Sequence, residues 1–171
     1  MTVFVGGAGE LFQGDLDLGR RAAERLAVAL SDDSDDSSGV GAGGIVVEEL
    51  HYGAVAVAQR LAELRPSSFV LVGAIARGRE PGTVLRRAVT PPVREPAEMQ
   101  RAVEQAVTGY VDLDLILDVA AAFGALPEHT VCVEVEPAST EPSEHLSDVG
   151  ERALTEAVAL VRAELAATAG R

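Results

Sequence analysis

Glu10, Asp15 and Asp17 stand between the apolar run MTVFV and the helix-forming run RRAAERL, inside the segment GGAGELFQGDLDLG. An apolar strand, a glycine-rich turn, carboxylates and a helix start within one supersecondary unit are how α/β proteins build a ligand site at the carboxyl end of a strand. The acidic pair is interrupted by Leu16, so its two carboxylates do not follow one another. His51 closes a second apolar run, IVVEEL, and is therefore expected at the same carboxyl edge of the sheet. The other histidines, His129 and His145, have no histidine at ligand spacing and read as surface or packing residues. In the stretch ARGRE, Arg77 or Arg79 could grip a carboxylate of a substrate; the competing reading is a solvated charged turn that discourages edge pairing.

Several familiar chemistries are excluded. Gly7-Ala8-Gly9 begins like a dinucleotide fingerprint, but the third glycine position is Phe12. There is no glycine-lysine-serine phosphate loop and no Gly-x-Ser-x-Gly elbow to anchor a serine nucleophile. A net charge of -13 with 14 basic residues argues against nucleic acid and anionic membranes, leaving protein or small-molecule partners. Cys132 is the only cysteine, which rules out an internal disulfide and a cysteine-rich metal site. No basic-then-apolar leader stands at Met1, so a cytoplasmic location is expected.

The elements that must position these residues alternate. Strands are expected at Val3–Val5, Ile45–Leu50, Phe69–Val72, Thr83–Ala88 and Val131–Val135. Helices are expected over Leu18–Leu30, Ala54–Leu64, from about Ala97, over Asp112–Phe123 and over Asp148–Ala167, with Ser147 as N-cap of the last. The fully apolar FVLV run belongs in the centre of the sheet. Thr83–Ala88 follows too soon for a crossover helix and should pair antiparallel at an edge. Apolar residues make up 47% of the chain but aromatics only 4%, so the core should be Val, Leu and Ala. The expectation is one domain, residues 1–171, with a three-layer α/β/α architecture: a twisted, mostly parallel five-stranded sheet with one antiparallel edge strand. Residues 31–44, SDDSDDSSGVGAGG, have no periodicity and read as a solvated acidic loop, although its aspartates invite a calcium reading.

Taken in order, GAGELFQGDLDLGRRAAERL, VVEELHYGAVAVAQRLAEL, FVLVGAIARGREPGTVLRR, DLDLILDVAAAFGALPEHTVCVEVEPA and HLSDVGERALTEAVALVRAEL resemble the hydrogenase maturation endopeptidases over nearly the whole chain. These enzymes remove a C-terminal peptide from the large subunit of nickel-iron hydrogenases. The resemblance implies an endopeptidase with a protein partner, such a large subunit or its maturation machinery, and nickel carried by the substrate rather than a cofactor of its own. It places the family's three metal-reading positions on Leu16, Gly73 and Gly109 or Tyr110, none of which offers carboxylate or imidazole lone pairs. Two functions follow: a protease, or a non-catalytic descendant that binds a hydrogenase subunit or maturation partner as a chaperone or scaffold. Glu10, Asp15, Asp17, His51 and Tyr110 form the candidate pocket, with Phe12, Tyr52 and Tyr110 on its rim. Glu10, Asp15, Asp17 and His51 could share a displaced metal site; alternatively Asp15 and Asp17 cap the helix that begins at Leu18.

Overall fold

A computed structural model of the chain describes residues 1–32, 44–91, 95–106 and 112–170. Its strands are β1 (Val3–Ala8), β2 (Ile45–Leu50), β3 (Ser68–Ala74), β4 (Val84–Val89) and β5 (His129–Val135). Its helices are α1 (Leu18–Asp32), α2 (Ala54–Leu64), α3 (Pro96–Ala106), α4 (Leu113–Ala122) and α5 (Asp148–Ala169), and a 3-10 turn at Gly14–Asp17 leads into α1. The strands join in the order β2-β1-β3-β5-β4. The first four run parallel, and β4 lies antiparallel to β5 at the edge, as the short connection into it requires.

Alternation along the strands divides the core into two layers. Phe4, Phe69, Leu71 and Cys132 point towards α2, α3 and α4, with the Phe4 and Phe69 rings stacked 5.5 Å apart. Val3, Val5, Val70, Val72, Val133 and Val135 point the other way, towards α1 and α5. The apolar run expected in the centre is β3, buried from Ser68 to Gly73.

Three departures from the expected boundaries bear on the site. The first strand continues through Gly6 and Gly7, which read locally as turn residues. A side chain on Gly7 would strike the Gly19 carbonyl and the Ala23 methyl, and one on Gly19 would strike the carbonyls of Ala8 and Val72. The two glycines thus bring α1 onto β1 and β3 at backbone distance. α1 also extends over Ser31 and Asp32, the start of the expected acidic loop; residues 33–43, and with them the calcium reading, lie outside the described residues. Finally, Asp112 precedes α4 rather than opening it: its Oδ1 accepts from the Asp114 and Leu115 amides at 2.8 and 3.2 Å, satisfying two donors left free in the first turn. Ser147 caps α5 as expected, its Oγ accepting from the Gly150 amide at 2.9 Å.

Candidate functional site

A cavity of about 320 Å³ opens where β1 and β3 end. Ala8 and Gly9 form one wall, Ala74 to Ala76 a second, and Asp112 and Leu113 at the start of α4 a third; Leu16 and Thr140 complete it. This is the carboxyl edge of a parallel sheet, where open α/β proteins bind ligands. Among the described residues its lining holds two carboxylates, Glu10 and Asp112, and no basic residue. Burial raises the Glu10 pKa above the ordinary carboxylate value, and the charge of Asp112 adds to the shift.

The acids that opened the sequence reading are divided by the fold. Glu10 lines the cavity. Asp15 is fully buried and ties distant backbone together: one oxygen accepts from Ala138 and Ser139 amides at 2.8 and 3.1 Å and from Ser147 Oγ at 2.8 Å, the other from the Ser147 amide at 2.7 Å. Asp17 receives Arg20 through two bonds of 2.7 Å and Arg21 at 3.1 Å. The expected capping of α1 is therefore corrected. Asp15 serves the segment leading into α5, because residues 137–147 cross beside the 3-10 turn and bring three amides to its buried carboxylate; Asp17 binds guanidinium groups one turn ahead of it.

His51 does not join them. The strand it follows, β2, is an edge strand separated from β3 by β1. His51 lines a second groove with Ala23, Ala27 and Val47, its ring edge-on to Tyr52 at 5.5 Å. Tyr52 donates its hydroxyl to Glu48 at 2.9 Å, and burial together with that bond raises its pKa. The four-residue metal site drawn from Glu10, Asp15, Asp17 and His51 therefore does not assemble, and among the described residues no group of three or more His, Cys, Asp or Glu could hold a metal ion. Gly109 and Tyr110 lie outside the described residues. Phe12 is exposed beside Leu11 and held at a φ of +64°, and it is not among the residues that line the cavity.

Arg77 and Arg79 are engaged inside the fold rather than forming a solvated turn. Both bind Glu134, which is fully buried in β5: Arg77 at 2.8 and 2.9 Å, Arg79 at 3.0 Å, with Arg87 of β4 adding bonds of 2.8 and 3.0 Å. Burial alone would raise the Glu134 pKa, but hydrogen bonds from the arginines outweigh it and hold the carboxyl at about 2. The arginines answer an internal acid and do not form a merely solvated turn.

Sequence reasoning missed Asp112 as a cavity residue. The available signal was its place before the apolar run LDLILDVA, which marks an N-cap on a helix starting at the carboxyl edge of the sheet. A cap spends one carboxylate oxygen and leaves the other to face outward.

No family model and no curated protein sequence matches the chain. Solved structures do. The chain is similar to a hydrogenase 2 maturation peptidase from Thaumarchaeota archaeon SCGC_AB-539-E09, 22% identical, covering 97% of this chain and 99% of that one with a TM-score of 0.63. It is similar to the hydrogenase maturating endopeptidase HybD from E. coli at 21% identity, 98% and 94% coverage and a TM-score of 0.63. The fold is that of the hydrogenase maturation peptidases. A [NiFe] hydrogenase maturation protease HycI from Thermococcus kodakarensis KOD1 aligns at 20% identity over 94% and 89% of the chains, TM-score 0.61.

On this maturation-peptidase fold the positions singled out by the resemblance are apolar where they are described. Leu16 faces the cavity. Gly73 lies beneath the first residue of α4, so close that a Cβ there would sit 2.8 Å from Leu113 Cδ2 and 2.9 Å from the Ala8 carbonyl oxygen. The leucine fills the space that a side chain at 73 would need.

Proposed function

We propose that this protein acts in the maturation of a nickel-iron hydrogenase large subunit, receiving the subunit's C-terminal segment in the cavity beyond β1 and β3 and acting on it as an endopeptidase. The observation that carries this reading is the cavity itself: it sits at the carboxyl edge of a maturation-peptidase fold and offers Glu10 and Asp112 between apolar walls. Glu10, with its raised pKa, is suited to accept a proton from a water attacking a peptide bond. Nickel belongs to the substrate in this scheme. The corresponding cellular picture is a cytoplasmic, single-domain protein; among the described residues no helix is long and apolar enough to cross a membrane.

A second reading is favoured by Leu16, Gly73 and Leu113, which put hydrocarbon where metal recognition needs lone pairs. In it the cavity binds the large-subunit tail, or another maturation protein, without cutting. Intact-mass spectrometry separates the two. The large-subunit precursor from the same genome is incubated with the protein, with and without nickel loaded. Loss of a C-terminal peptide that disappears in Glu10→Gln supports the protease; an unchanged mass with a stable complex supports the binding protein. Neither cleavage nor a complex would refute both.

A further inference from the structure

The buried carboxylate of Glu134 is already met by two cations, Arg79 and Arg87, at 2.8 to 3.0 Å. Neutralising a buried acid does not require a third. Arg77 nevertheless reaches it as well, and the same guanidinium reaches on to Asp114 in the first turn of α4, with Nη1 donating to Oδ2 at 3.0 Å and Nη2 to Oδ1 at 2.8 Å. We propose that Arg77 is a positioning residue for the cavity: by gripping Glu134 in the sheet and Asp114 in α4 with one planar group, it fixes the helix start that presents Asp112.

Each link in that chain is anchored. The Arg77 amide donates to Glu136 at 2.9 Å, and the Ile75 amide donates to the Val135 carbonyl at 2.9 Å, so the segment carrying Arg77 is bound to the end of β5. That segment, at Ala74 to Ala76, is also one wall of the cavity. On the far side, Asp114 lies two residues from Asp112, whose Oδ1 holds the Asp114 and Leu115 amides. Two walls of the cavity are thus coupled through the bidentate grip of Arg77, with Arg87 Nη2 at a longer 3.7 Å from Asp114. A guanidinium suits the task because its rigid fork can serve two carboxylates at once, which an ammonium on a flexible stem does not reproduce. The consequence for function rests on the maturation reading above; the geometry does not.

Native-state hydrogen exchange, followed by NMR on the whole chain without any substrate, tests it separately from that reading. The amides of Asp114 and Leu115 are capped by the Asp112 side chain, so their exchange reports whether Asp112 is held. Arg77→Lys keeps the positive charge beside Glu134 but loses the fork. Exchange at Asp114 and Leu115 should speed up roughly fivefold, as expected for a partly exposed bidentate pair, while Cys132 and Glu134 amides in β5 stay at wild-type rates. Asp114→Asn, which leaves the buried acid fully neutralised, should give the same local effect, and the double variant no more than either alone. The proposal is overturned if the α4 amides are unchanged in Arg77→Lys, or if β5 amides accelerate as much, because Arg77 would then serve only the buried charge.

Discussion

Asp15→Ala separates a structural acid from a site acid. The residue is fully buried, and its removal strands the amides of Ala138, Ser139 and Ser147 together with the Ser147 hydroxyl. A part-buried hydrogen bond to a charged group contributes about 1–3 kcal/mol. The hydroxyl can rotate to another acceptor, so three amides at the low end of that range give a loss of about 3 kcal/mol. That is a large fraction of the roughly 5–15 kcal/mol that holds a domain folded. In urea, with a slope of about 2 kcal/mol per molar, the unfolding midpoint followed by circular dichroism should fall by about 1.5 M. Asp15→Asn should lose about half as much, since its carbonyl can still face the three donors on one oxygen while its amide meets the Ser147 amide. A wild-type midpoint for Asp15→Ala would refute this account, and Asp15 would return to the list of groups free to act on a substrate.

Three further outcomes follow from the packing and the charges. The folded-state pKa of Glu134 is depressed from 4.5 to about 2, so its ionised form stabilises the fold fully above about pH 4.5, and that contribution, about 3 kcal/mol, is lost as pH falls towards 2; the stability gap between wild type and Glu134→Gln should narrow across that window, and a constant gap would contradict it. Gly19→Ala forces a methyl into the carbonyls of Ala8 and Val72, which cannot withdraw without breaking the sheet, so thermal unfolding should report a loss of about 3 kcal/mol or more. Gly73→Ala and Leu113→Ala should each destabilise alone but be coupled by about 1 kcal/mol in the double variant, because the added methyl takes space the leucine vacates; additive losses in urea would show that the two do not share it.

Much of the fold was legible because the core is built from long apolar runs whose period decides their type. The run FVLV announced a central strand, and the shortness of the link before Thr83 announced an antiparallel partner. What local sequence concealed was contact at a distance. Gly6 and Gly7 carry turn chemistry for a reader who sees only their neighbours, yet they lie in β1, with Gly7 facing Gly19 across the helix–strand contact. The close approach of α1 that requires it belongs to the tertiary structure alone.

The site was harder to read for the same reason, made sharper by charge. A carboxylate has no period, and its role is set by which donors the fold delivers. Asp15 and Asp17 are neighbours in sequence, but one is met by amides from residues 138–147 and the other by arginines within one helical turn. His51 shares with the cavity residues a place at a strand's carboxyl end, and strand order alone sends it to the edge groove. Asp112 and Glu134 show the converse. Asp112 precedes an apolar helix and Glu134 alternates with Val133 and Val135 on a strand, so both positions were readable: a cap at the carboxyl edge, and an acid on a buried face that demands cations. An acid placed by a strand's alternation must be answered from elsewhere in the chain, and ARGRE, open to reading as a carboxylate grip or a solvated turn, supplies two of the three arginines that do so.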